Sequence, residues 1–151
     1  MRHPARAMLA LTALLAAPLQ AAATGPGLLR PDDPALVAGG RALYADYCAS
    51  CHGAALEGAD NWRERRADGR LPAPPHDPSG HTWHHNDAQL FAMTKYGVAA
   101  LVGGDYESDM VGFGDVLSDA EIIAVLSYIK STWPGRVRAR HDQINAATLG
   151  R

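Results

Sequence analysis

Apolar and polar positions divide the chain into an apolar start, two well-patterned helices with a shorter one between them, and long irregular connections. Over residues 35–47, Leu36, Gly40, Leu43, Tyr44 and Tyr47 recur at helical spacing and form one apolar or aromatic stripe. Asp33 stands where an N-cap belongs, with Pro34 at the first helical position. A short helix is predicted from Asp87 to Tyr96, capped by Asn86 and ended by Gly97. The clearest helix begins after Ser118. Ser118-Asp119-Ala120-Glu121 reads as a capping box, Ile122, Val125, Leu126 and Ile129 form the apolar face, and Pro134 stops the run. Residues 54–80 are irregular, since Leu71-Pro72-Ala73-Pro74-Pro75 excludes a regular helix or inner strand. Residues 98–113 also read as loop, and nothing in 135–151 demands a further helix. There is no internal repeat and no strong strand pattern, so the predicted class is all-α.

The start of the chain carries a different signal. Arg2 and Arg6 precede a mostly apolar stretch over 7–19, broken by Pro18, and Ala21, Ala22 and Ala23 offer a cleavage site of small residues. That order predicts a secretory signal peptide cut after Ala23. The apolar run is shorter than the roughly 20 residues of a spanning helix, and no later segment is apolar enough to span a bilayer. The expected organisation is a signal peptide over 1–23, a flexible lead-in over 24–34, a folded domain over 35–134 and a C-terminal extension over 135–151.

Composition narrows the function. The chain has 151 residues with 47% hydrophobic and 20% charged side chains, enough for one domain with its own core and too apolar for wholesale disorder. Taking Arg2 and Arg6 from the 14 basic residues leaves 12 against 16 acidic ones. An acidic surplus argues against a nucleic-acid binder.

The chemistry lies in Cys48-Ala49-Ser50-Cys51-His52, which holds both cysteines of the chain. Two thiols two residues apart can each add to one haem vinyl group, and the adjacent imidazole then lies under the iron; the spacing C-x-x-C-H reads as c-type haem attachment. A thioredoxin-like pair would follow a strand, whereas this pair follows a helix. A zinc site needs more thiolate or imidazole ligands, and a plain disulfide would close a loop too small to stabilise much. A second iron ligand should be soft and distant in sequence. Met93 sits within the short helix beside Leu90 and Phe91 and reads as core. Met110 lies in a loop before Gly112-Phe113-Gly114, where backbone can fold closely over a flat cofactor, and is the expected sixth ligand. A thioether opposite histidine raises the reduction potential and occupies the position where substrates would bind, which favours electron transfer over catalysis.

On these motifs the sequence resembles a class I cytochrome c over roughly 35–134: a first helix ending in C-x-x-C-H, a loop methionine in Met110-Val111-Gly112-Phe113-Gly114, and a closing helix over 117–133. The resemblance implies three to five helices and long loops around one covalently bound haem c, with Cys48 and Cys51 as attachment points and His52 and Met110 as axial ligands. It implies that the first and last helices cross closely, Gly40 and Tyr44 packing near Leu126 and Tyr128. It also implies a proline carbonyl, from Pro74 or Pro75, on the second nitrogen of His52. Two positions depart from the family pattern: Val111 follows the methionine where many relatives have proline, and His76 follows the prolines where many have an aliphatic residue.

The expected function is that of an exported, periplasmic, mono-haem carrier of single electrons, or the electron-transfer partner of an oxidoreductase, and not itself an enzyme. Partners should be redox proteins met transiently, with no nucleic acid and no membrane span once the signal is cut. The alternative is a haem protein with accessory copper or ligand binding through His81, His84 and His85, which stand with Trp83 in one short segment. Arg63, Arg65, Arg66 and Arg70, and again Arg136, Arg138 and Arg140, read as solvated charge able to steer a partner.

Overall fold

The computed structural model describes residues 27–149, and the signal-peptide segment lies outside them. Among the described residues there are six α-helices: α1 (Pro34–Tyr47), α2 (Ala49–His52), α3 (Asp87–Tyr96), α4 (Val98–Val102), α5 (Asp119–Ser131) and α6 (Gly135–Leu149). A single turn of 3-10 helix spans Thr82–His84, and the one bridge of β type joins Gly97 to Val111. The expected all-α class holds. The helices outnumber the expected three to five because α2 and α4 are single turns of 4 and 5 residues. The second of these replaces part of the loop read over 98–113.

Each long helix within the predicted domain starts on a side-chain cap. The Asp33 carboxylate accepts from the Leu36 amide at 3.0 Å, with Pro34 opening α1. Reciprocal capping boxes open α3 (Asn86 with Gln89) and α5 (Ser118 with Glu121). Such caps satisfy amides that the helix itself leaves unpaired.

Helices α1 and α5 cross in backbone contact. A Cβ on Gly40 would lie 2.0 Å from the carbonyl oxygen of Ala124, so only glycine lets the two helices come this close. The partner of Gly40 is thus the Ala124–Val125 peptide rather than Leu126, while Tyr44 does pack on Tyr128, ring centroids 5.5 Å apart. Around this crossing Leu56, Leu90, Leu117, Ile122, Val125, Leu126, Ile129 and Trp133 form the core. Burying such side chains contributes about 1.5–3 kcal/mol each.

The C-terminal extension folds back as α6. Its inward face is Val137, His141 and Asn145, four residues apart and all buried. Two of the three are polar, which is why the apolar pattern gave no sign of it. Asn145 and the Asp87 carboxylate at the start of α3 are joined at 3.0 Å, and the Asp87 amide donates to Asn145 Oδ1 at 2.8 Å. Asp87 also accepts from the Leu29 amide at 3.0 Å, and Ser127 Oγ accepts from the Arg30 amide at 2.9 Å. The described part of the predicted lead-in is therefore tied to the domain, with Leu29 buried, rather than loose. No helix among the described residues is long and apolar enough to cross a membrane.

Candidate cofactor site

Helix α1 ends directly on the cysteine motif. The Cys48 amide still donates to Tyr44 O at 2.9 Å, and the single turn of α2 then carries Cys51 and His52. Both thiols are free, Cys48 half-buried and Cys51 exposed. Burial, with Cys51 nearby, pushes the Cys48 thiol up to about 11.

His52 is buried, and its Nδ1 lies 2.8 Å from the Pro74 carbonyl oxygen. A carbonyl can only accept, so Nδ1 carries the proton and Nε2 keeps its lone pair. This is the tautomer and the anchored ring that a metal-binding imidazole needs. Burial lowers the His52 pKa further, against the pull of the Pro74 bond, and favours the neutral ring. Of the two prolines expected at this place, Pro74 makes the bond. Its approach depends on Gly58, at φ +70°, where a Cβ would sit 2.6 Å from the Pro74 carbonyl carbon. Two free thiols two residues apart, beside an imidazole with an unprotonated Nε2, fit covalent haem. They do not fit a protein-held metal ion: among the described residues no group of three His, Cys, Asp or Glu side chains could hold one.

Behind His52 lies His76. The two rings stack, and His76 Nδ1 is 2.9 Å from Thr82 Oγ1. That hydroxyl is itself 3.3 Å from the Pro75 carbonyl, so it donates there and accepts from His76. The Trp133 indole N–H donates to His76 O at 2.8 Å and ties the same segment to the end of α5. Sequence reasoning left the orientation of His76 open and missed Thr82 and Trp133 as its supports. The only sequence signal for it was its place directly after Pro74-Pro75.

The two methionines lie in different surroundings. Met93 packs against the apolar core, whereas half-buried Met110 stands outside that packing. The Met110 loop is stitched to the end of α3. Val98 N donates to Met110 O at 3.3 Å, Phe113 N to Thr94 O at 2.9 Å and Gly114 N to Lys95 O at 3.0 Å. A Cβ on Gly112 would meet Tyr96 C at 2.7 Å, so the stitch requires glycine. Phe113 then sits edge-on to Tyr47, ring centroids 6.4 Å apart, which sets the loop beside the end of α1 and hence beside Cys48.

In the histidine segment the His81 and His85 rings meet edge to face at 5.4 Å, but among the described residues no third ligand joins them. His81 stacks on Trp62 at 5.3 Å, Trp83 lies against His84 at 3.7 Å, and the His85 carbonyl accepts from His141 Nε2 at 2.9 Å. His81 and His84 are thus packed on tryptophans, and the accessory-copper reading gains nothing from these contacts. The arginines are also engaged: Arg63 lies over Trp62, Arg66 and Arg70 pair with Asp109, and Arg138 pairs with Asp32.

A family model described as cytochrome c matches residues 37–133. Among curated proteins, the subunit FixP of a cbb3-type cytochrome c oxidase from Azorhizobium caulinodans is 30% identical over 92 residues. That stretch is 61% of this chain and 28% of the relative, so the chain spans little more than a quarter of that protein. No solved structure gives a significant match.

Proposed function

The chain belongs to the cytochrome c family, and we propose that it is an exported carrier of single electrons, working between redox proteins or as the electron-transfer partner of an oxidoreductase. Haem c, bound covalently through a single C-x-x-C-H site, supplies the one-electron chemistry in this family. The observation that carries the reading is the anchored His52 ring, proton on Nδ1 toward Pro74 and Nε2 bare, directly beside the two free thiols.

The protein's own contribution is positional. Cys48 and Cys51 would hold the haem at two points. The Pro74 carbonyl keeps His52 in one tautomer and one orientation, and so raises the basicity of the nitrogen facing the metal. Met110, free of the core and carried on a stitched loop, would hold the opposite axial position and leave none for a substrate. His52 and Met110, each held by its own loop, would supply ligands that move little, which suits electron transfer. The relative named as an oxidase subunit supports placement beside a larger redox protein. Export is supported by the charged start, the short apolar run and the site at Ala21–Ala23, and it puts the carrier in the periplasm.

Two measurements on purified protein test this. Mass spectrometry of the denatured chain should show one haem bound and an N-terminus at Thr24. Haem released by acidified organic solvent would overturn covalent attachment, and recovery of Met1 on the mature protein would overturn cleavage. The reduced protein should bind carbon monoxide hardly at all; ready binding would favour an open-site haem enzyme instead.

A further inference from the structure

The segment between the proximal prolines and the cysteine motif carries a second device. Its base is closed by the Ala59 amide donating to Ala73 O at 2.9 Å, next to Pro74, whose carbonyl holds His52. Its tip is a self-contained turn: Arg66 N donates to Arg70 O at 2.9 Å, Gly69 N to Arg66 O at 2.9 Å, and Arg70 N to Asp68 Oδ1 at 3.0 Å. That turn presents Arg66 and Arg70 together to the methionine loop. Arg66 pairs with Asp109, Arg70 reaches the other oxygen of Asp109 at 2.9 Å, and Arg70 reaches Glu107 at 3.3 Å. Asp109 is the residue before Met110. The contacts cross about 40 positions of sequence, and no other ion pair of the described residues touches the methionine loop.

We propose that residues 59–73 form a strap between the two axial sides of the haem, in which Arg66 and Arg70 grip Asp109 and position Met110. This rests on the reading of Met110 as the sixth ligand. A single exposed ion pair stabilises little. Here, however, one carboxylate is held by two guanidinium groups, one to each oxygen, and the planar guanidinium fork loses less freedom per hydrogen bond formed. The strap is anchored at its base beside the group that orients His52. Opening it releases Asp109, and with it one restraint on the Met110 loop, without unfolding the core, because Asp109, Arg66 and Arg70 are all partly solvent-exposed. Arg66 and Arg70 are positioning residues in this scheme. They act on the iron only through Asp109 and Met110.

The test is the rate at which imidazole replaces the sixth ligand in the ferric, haem-loaded protein, followed by the weak red-end band that a thioether ligand gives. With the strap intact, raising the salt to about 1 M, where charges are screened beyond about 3 Å, should speed replacement several-fold. In Arg66→Gln/Arg70→Gln and in Asp109→Asn, replacement at low salt should be about two- to fivefold faster per pair lost. The salt effect should largely vanish in these variants, and the thermal midpoint should hardly move. Wild-type rates with wild-type salt dependence in both variants would overturn the strap. The salt titration needs no variant, so poor haem loading of a mutant leaves the proposal testable. Met110→Ala separates the two readings. If it keeps the wild-type spectrum, the ligand assignment fails. If it loses the red-end band while the strap variants exchange like wild type, only the strap fails.

Discussion

The imidazoles of His52 and His76 stack with centroids 3.9 Å apart and planes inclined by 24°. His76 is neutral there, since burial, with His52 and His81 beside it, holds its pKa well below the ordinary 6.5. The stack therefore presses a second flat ring against His52 without bringing charge to it. His76→Ala removes that face and the donor to Thr82, and should destabilise the holo-protein by about 1–3 kcal/mol in denaturant unfolding. His76→Phe keeps the face and should recover part of the loss. Equal stability of all three proteins would show that the stack supports nothing.

Met110→Ala should lower the reduction potential, because a thioether favours the reduced iron. It should also let carbon monoxide bind the reduced protein. Met93→Ala should leave spectrum and potential alone and cost about 2 kcal/mol of packing. Visible spectra of the two variants side by side are enough. The reverse outcome would move the axial role to Met93.

Gly40→Ala and Gly39→Ala make a matched pair one residue apart on α1. At Gly40 the new methyl would collide with the Ala124 carbonyl at 2.0 Å, whereas at Gly39 nothing lies within 4 Å. The first should destabilise by about 1–3 kcal/mol or prevent haem loading. The second should stabilise by about 0.5–1 kcal/mol, as alanine does in an open helical position. Melting temperatures of the purified pair decide it.

His141 predicts a pH dependence. It is fully buried between α3, α5 and α6, with Nε2 donating to His85 O and Nδ1 without a partner among the described residues. The groups facing it are Asp87 on α3, Lys130 on α5 and Asp142 on its own helix. Burial, then Lys130, lowers its pKa below 6.5, outweighing Asp87 and the other favourable partners. The unfolded chain therefore binds a proton first as pH falls. Above 6.5 the contribution is flat; below it, stability should drop toward the folded pKa by up to about 1.4 kcal/mol per pH unit. His141→Phe should remove that part of the slope. If wild type and variant lose stability alike between pH 6.5 and 5, the histidine does not charge on unfolding.

Legibility followed the range of the interactions. The caps at Asp33, Asn86 and Ser118 act within three or four residues, so α1, α3 and α5 could be read from the chain almost to the residue. Cys48, Cys51 and His52 form one local motif, and the spacing alone named its chemistry. Met93 could be read as core because it lies within an apolar helical pattern. Only the tertiary structure decided the rest. It chose Pro74 over Pro75, whose carbonyl accepts from Thr82 instead. It placed His76 on the His52 ring through Thr82 and Trp133, from 6 and 57 positions away. It turned the extension after Pro134 into a docked helix whose buried face is largely polar, a pattern that hydrophobic periodicity cannot register. It joined Arg66 and Arg70 to Asp109, because a charge run looks solvated until its partner is brought to it by the fold.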